Sequence, residues 1–435
     1  MEINRYVLRD MSAGERSSIM RRAQADLGAV EAVVQEIVSA VRARGDDALI
    51  EFAARFDDAR LAREDLLVSD AEFDAAEAQV SAQLRAAIEQ AVSNVRAHHE
   101  RQIPVPAWVG ELSPGVISGE RITPIASAGL YVPRGKGSFP SVMMMLSVPA
   151  VLAGVPRISV CTPPGPDGCV DAASLVTARH CGVRRVFKVG GAQAIAALAY
   201  GTETVERVDK IVGPGNQYVA AARRLVYGSV DPGAPAGPSE SIVLCDETAN
   251  PAVAARELLV EAEHGPDSAA LLVTDSVRLA DAVTDLVPGL VTELPEPRKQ
   301  FCEKVLSGFG GVVVTSSVDE SVRFVNDYAP EHLRVLVREP FELLHQIVNA
   351  GEVLLGEHTS IAFGNFSIGL NAILPTGGFA RSYSCIGVAD FLKRSSFAYV
   401  SAAGASLIGP AAVEIARYED FPAHALAAAH AQRRS

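Results

Sequence analysis

The stretch KVGGAQAIAALAYGTETVERVDKIVGPGNQYVAAA (188–222) passes twice through the same textures. A short apolar run stops at glycine, and an alanine-rich helical pattern begins at once. Strand, glycine turn and helix in repetition are the pattern of a doubly wound parallel sheet, because parallel neighbours need a crossover between them. Working outward, ITPIASAGLYVP, RISVCTPPG and SIVLCDE read as further strands, and SVMMMLSVPAVLAGV reads as a helix.

The alternation resumes beyond residue 240. PAVAARELLVEAEHG, VRLADAVTDLV and DESVRFVNDYA have helical spacing, whereas AALLVTD, GGVVVTS, HLRVLV and EVLLGE read as strands. Before the first strand, residues 23–100 carry apolar positions three and four apart and read as helices. His98 and His99 fall at the polar end of one such helix, where a solvated face is expected. The expected fold is therefore α/β. It has two incomplete doubly wound, Rossmann-like units, a helical N-terminal segment and a helical, alanine-rich tail. The expected division is 1–22 for the N-terminal segment, 23–130 with 241–386 for a discontinuous first unit, 131–240 for the second and 387–435 for the tail.

A chain of 435 residues with 49% hydrophobic and 21% charged content can bury a large core. Its formal net charge of −13 argues against a nucleic-acid or anionic-membrane partner, which would need a basic face. The longest apolar candidate, VMMMLSVPAVLAGV (142–155), is short for a membrane span and contains Pro149. The start lacks the apolar stretch of a signal peptide. Six scattered cysteines without a CxxC point to a reducing, cytoplasmic setting, and Cys161 and Cys245 sit in strand-like runs as inert thiols would.

Three kinds of patch carry candidate chemistry. The two glycine turns, at 188–198 and 210–222, each end a strand and open a helix, where backbone N–H groups favour an anion. Neither is G-x-G-x-x-G, so tight helix–strand packing explains them equally well; Gln193 and Asn216 follow the glycines. In LLVEAEHGPDS (258–268), Glu261 and His264 share a helix face and could both bind one metal ion. The tail adds Glu419 and His424, and the glycine-rich loop 356–378 adds His358, Asn365 and Asn371. Finally, NDYAPEHLRV (326–335) sets Glu331 beside His332 after an Ala-Pro break. By itself that pair reads as a capped helix end.

Taken in order, VRARGDDALIEFAARFD (41–57), GLYVPRG, the glycine turns, AGPSES, EAEHGPDS, YAPEHL and the tail helix resemble the histidinol dehydrogenase family over nearly the whole chain. The resemblance implies NAD-dependent oxidation of an alcohol through an aldehyde to a carboxylate, a bound zinc, and a homodimer whose tail reaches into the neighbour's site. It implies that His332 is a general base and substrate contact and that Glu331 activates water. It further implies that Tyr131, Gln193 and Asn216 contact NAD, that Ser239 and Glu419 contact substrate, and that Glu261, His264, Asn365 and His424 hold the metal.

Departures from the family pattern fall at the same places. Glu261 stands where the family has a metal-binding Gln, and Asn365 where it has an Asp, so the ligand charge is conserved but relocated. Both offer hard oxygen donors, which keeps zinc and admits another divalent ion. Ala372 replaces a substrate-facing His, and Arg134 and Lys136 add cations that suit an anionic substrate group. The leading expectation is a metal-assisted dehydrogenase of a small polar alcohol other than histidinol. A true histidinol dehydrogenase with compensated ligands, or a catalytically retired ligand-binding paralogue, are the alternatives.

Overall fold

The computed structural model describes residues 1–22, 28–135, 137–235 and 237–432. Its two parallel sheets are both built from apolar runs too short for anything but strands. The larger has β1 (Arg5–Val7), β8 (Glu240–Cys245), β9 (Ala269–Thr274), β10 (Gly311–Val314), β11 (His332–Leu336) and β12 (Glu352–Leu355), in the order β1-β10-β9-β8-β11-β12. Its central strands β8, β9 and β11 are buried along their whole length, as a sheet covered on both faces requires. Helices Pro251–Val260, Val277–Thr292 and Arg298–Leu306 cover one face, and Val318–Tyr328 with the N-terminal segment covers the other.

The smaller sheet has β4 (Ser127–Tyr131), β5 (Arg157–Thr162), β6 (Val186–Lys188) and β7 (Lys210–Val212), in the order β6-β5-β4-β7. One face carries helices Gly28–Arg44, Asp46–Phe56, Gly191–Tyr200 and Gln217–Leu225, and the other carries Ala82–Glu100, Pro140–Leu152 and Ala172–Cys181. This corrects the expected grouping of 23–130 with 241–386. Val34, Val41 and Phe52 share a core with Ile195 and Val219, while Val92 and Val95 share one with Met143 and Val160. The N-terminal helices thus belong with the smaller sheet, and β1 of the N-terminal segment edges the larger one. An amphipathic helix shows in sequence that it has a partner face, not which sheet provides it.

His99 is a second correction. It is fully buried, with Nδ1 2.7 Å from the Val95 carbonyl and Nε2 3.3 Å from the Asn371 amide. The Asn371 amide also donates to the Met145 carbonyl at 2.7 Å, which ties the glycine-rich loop to the smaller sheet's core.

A third sheet was not expected. β2 (Ala107–Ser113), β3 (Val116–Pro124) and β13 (Leu392–Val400) form an antiparallel ribbon in the order β13-β3-β2. The tail therefore opens with a strand, and only then come helices Ala402–Tyr418 and Pro422–Gln432. These two pack on each other through Val413, Ala416 and Ala425, leaving Leu407, Ile415, Tyr418 and Leu426 exposed. Among the described residues, no helix is long and apolar enough to cross a membrane. Cys161 and Cys245 are buried in β5 and β8, and burial pushes both thiols up, as inert strand cysteines should be.

Candidate active site

The two parallel sheets face one cavity of about 2300 Å³ with opposite edges. The smaller sheet presents its strand C-termini. Tyr131 ends β4, and its buried hydroxyl accepts a 3.0 Å hydrogen bond from the Gly191 N–H after β6. Gly213, after β7, has φ 132°, and a Cβ there would lie 2.1 Å from the Tyr131 carbonyl oxygen. Glycine is required for that approach. Helix Gly191–Tyr200 starts without a side-chain cap, but its first N–H is taken by the Tyr131 hydroxyl, and Gly190 and Gly191 are not among the cavity-lining residues.

Asn216 caps the helix after β7, its Oδ1 accepting from the Tyr218 and Val219 N–H groups at 3.0 and 3.1 Å, and it lines the cavity. Gln193 is buried in the first turn beside Gly191 and is not among the cavity-lining residues. Arg134 lines this same half, where its Nη1 donates to the Cys169 carbonyl at 3.1 Å. Lys136 lies outside the described residues.

The larger sheet presents its strand N-termini. Ser239 precedes β8 and lines the cavity, Glu331 precedes β11, and His332 opens it. Helix Pro251–Val260 runs back across the sheet and ends beside the same strand starts, which brings Glu261 and His264 there. Glu261, Glu331 and His332 offer ligand atoms all within 4.8 Å of one another, every one buried. His332 Nε2 stands 3.7 Å from Glu261 Oε1 and 3.9 Å from Glu331 Oε2, and its Nδ1 contacts Glu352 Oε1 at 2.6 Å. Glu331 Oε2 accepts the Glu240 N–H at 2.9 Å.

Glu261 and Asn365 touch. The Asn365 amide donates to Glu261 Oε1 at 2.9 Å, and His264 Nδ1 lies 3.2 Å from Glu261 Oε2. Burial by itself would raise Glu261, but the His332 and His264 imidazoles and the Asn365 amide outweigh it and hold the carboxyl below its ordinary value. Burial, together with neighbouring Glu261, pushes Glu331 well above the usual carboxylate range against the pull of His332. For His332, burial works downward, yet Glu261, Glu331 and Glu352 carry it to about 10.

Sequence reading missed four residues of this corner. Glu352 is the first residue of β12, and Glu240 the first of β8. Arg22 Nε meets Glu240 Oε2 at 2.9 Å, with its guanidinium 3.7 Å above the Tyr328 ring. Acids opening apolar strands, as in GEVLLGE and SESIVLC, were the available signal, since a charge there must be paired or functional. Nothing near Arg22 in sequence marks it.

The corner suits a divalent cation. Among the described residues, the acidic and imidazole groups close enough together to hold one ion are Glu261, Glu331 and His332, and carboxylate oxygen with imidazole is a zinc-compatible set; His264 and Asn365 both touch Glu261, Asn365 through its amide NH2. Glu419 and His424 are brought nowhere near it within the chain; both are exposed on the tail and neither lines the cavity. His358 is exposed and also lies off the cavity lining.

Comparison with known proteins agrees with this geometry. A family profile described as histidinol dehydrogenase matches residues 20–432. A histidinol dehydrogenase homolog of Cereibacter sphaeroides is 52% identical over 427 residues, covering 98% of this chain and 97% of that one. A histidinol dehydrogenase of Synechocystis is 50% identical over 420 residues, with 97% of each chain covered. The crystal structure of histidinol dehydrogenase from Elizabethkingia anophelis superposes with a TM-score of 0.94 at 35% identity, covering 99% of this chain and 98% of that one.

Proposed function

The chain belongs to the histidinol dehydrogenase family of NAD-dependent oxidoreductases, and on that footing we propose that it oxidises a small polar alcohol, distinct from histidinol, through the aldehyde to the carboxylate. The observation that carries the chemistry is the buried Glu331–His332 pair, open to the cavity and facing Glu261. His332 Nε2 is the proposed acceptor of the alcohol proton, acting as the neutral ring; the carboxylates around it hold the ring protonated up to about 10, and a cation held by Glu261 would offset that pull. Glu331, oriented by the Glu240 N–H, takes a proton from the water that attacks the aldehyde.

Tyr131, Gln193 and Asn216 are the proposed NAD contacts, and Glu261, His264 and Asn365, with His424 of a second copy, the proposed metal ligands. When bound, NAD supplies the two-electron acceptor and the metal the positive charge that polarises the alcohol oxygen. Ser239 and the second copy's Glu419 would contact substrate. Exposed Trp108, Leu112, Tyr399 and Leu407 on the ribbon and tail give a homodimer apolar surface to bury.

The substrate reading rests on Ala372. It lines the cavity, its N–H is 3.3 Å from Met145 Sδ, and its methyl offers no hydrogen bond where the family has an imidazole. Arg134 sits on the nucleotide half, so the structure gives no support to its pairing with an anionic substrate group. The second reading, a true histidinol dehydrogenase, is favoured by the 50% identity to the Synechocystis protein of that name.

NADH production on a panel of amino alcohols, sulfonated diols and polyols separates the readings. Histidinol as the best substrate would sink the first, and no turnover on any would favour a retired paralogue. His332→Ala is expected to lose alcohol oxidation by about 10²–10⁴-fold. Mixing it with inactive His424→Ala chains should restore activity after subunit exchange if the tail completes a neighbour's site. No recovery would overturn the shared site.

A further inference from the structure

β11 and β12 are parallel neighbours, and their register sets His332 directly opposite Glu352. Two backbone features hold that register at its first residue. The Glu352 N–H donates to the Glu331 carbonyl at 3.0 Å, and Gly351 is the residue that allows the strands to close there. A Cβ at Gly351 would lie 2.5 Å from the Glu331 oxygen. The side chains then meet at 2.6 Å, Glu352 Oε1 on His332 Nδ1, with only 6% and 3% of their surfaces exposed.

The surroundings leave the carboxylate little else to do. Gly364 backs it, where a Cβ would stand 3.0 Å from Oε1 and 3.2 Å from Oε2. Oε2 has no hydrogen-bond partner among the described residues. A buried carboxylate is costly unless it is paired, and this one has committed one oxygen to the ring. The imidazole's other nitrogen, Nε2, meets Glu261 and Glu331 only at 3.7 and 3.9 Å, beyond hydrogen-bond range, and looks toward the cavity.

We propose that Glu352 is the positioning residue of His332: its carboxylate holds the Nδ1–H, fixes the ring plane and leaves Nε2 as the proton acceptor. This rests on the reading of His332 as the base for alcohol oxidation. In that step the substrate O–H bond breaks and an Nε2–H bond forms. The positive charge that appears on the ring lies against the Glu352 carboxylate, and no proton passes to Glu352. The same division of labour orients histidines that act as bases or metal ligands elsewhere.

Glu352→Gln keeps the shape and an acceptor oxygen but loses the charge. It is expected to lower kcat for alcohol oxidation about 10–100-fold, the usual cost of losing a histidine's carboxylate partner, with KM little changed. Glu352→Asp, still anionic, should recover part of the loss. ¹⁵N NMR of histidine-labelled wild-type protein, taken above the pH at which the His332 ring becomes neutral, should find the remaining proton on Nδ1. A Gln variant with wild-type kcat, or a neutral ring protonated on Nε2 instead, would overturn the proposal. Should the Gln variant fail to fold, the Asp variant and the wild-type spectrum still decide. If His332→Ala itself keeps alcohol oxidation, the general-base reading fails, while the spectrum reports the Glu352 pairing independently.

Discussion

The smaller sheet meets the cavity with strand C-termini and the larger with strand N-termini, and the two edges are built of different material. At the C-terminal edge the glycine turn at 214–216 and a tyrosine hydroxyl held by an N–H line the cavity, with Arg134 and Arg224 beside them. That is the ordinary ligand edge of an open α/β sheet. At the N-terminal edge the groups are side-chain charges, Glu240, Glu261, Glu331 and Glu352 around His332, with Arg22 beneath them. Backbone donors accept any ligand with the right anionic shape, whereas buried charges constrain one another. The first edge should therefore yield to mutation in small steps and the second in large, coupled ones.

The largest effect is expected at Arg22. Burial pushes the Glu240 carboxyl up to about 7, against the opposing Arg22 guanidinium and Gly377 N–H. A raised carboxyl contributes stability that is present below its unfolded pKa and lost as pH climbs through 7. Arg22→Leu removes the cation that limits this loss and leaves a buried acid unpaired, a defect of about 3–5 kcal/mol. The deficit should be greatest at pH 8 and shrink toward pH 5, read by thermal denaturation at both. Equal deficits would mean that Arg22 serves packing on Tyr328 rather than the carboxylate.

Next comes the Glu261–Asn365 contact. Glu261→Gln should weaken metal binding by about 10–100-fold, in the range seen when a metal site loses one supporting interaction. Asn365→Asp in the wild-type background adds a second carboxylate beside the first. Combining the two should recover affinity relative to Glu261→Gln, a non-additive result expected of side chains that share one ion. Elemental analysis of the four proteins decides it, and additive losses, or wild-type protein without metal, would break the reading.

At the backbone-built edge, Asn216→Ala should cost about 0.5–2 kcal/mol of stability through the lost cap. It should raise KM for NAD with kcat little changed. A collapse of kcat comparable to that of His332→Ala would erase the contrast between the two edges.

The alternation of strand, glycine turn and helix was legible because it is a local pattern, and 188–222 passes through it twice. Glu331, His332, Glu261 and His264 were legible through the family resemblance that their short motifs carry, and each lines the cavity. The ribbon of β2, β3 and β13 was not, since β13 lies far along the chain from the β3 strand it pairs with and is an exposed strand without an apolar alternation. Nor was the allegiance of the N-terminal helices, whose apolar stripes fit either sheet.

The sequence by itself determined the parallel architecture and the acid–imidazole pair, because each is written within a dozen residues. Only the tertiary structure decided that Asn365 lies on Glu261, that Glu352 lies on His332 and that Arg22 lies on Glu240. These contacts join residues 104, 20 and 218 positions apart. A charge can be seen in a sequence, but its partner is chosen by burial, which takes water away and leaves the nearest opposite group to replace it.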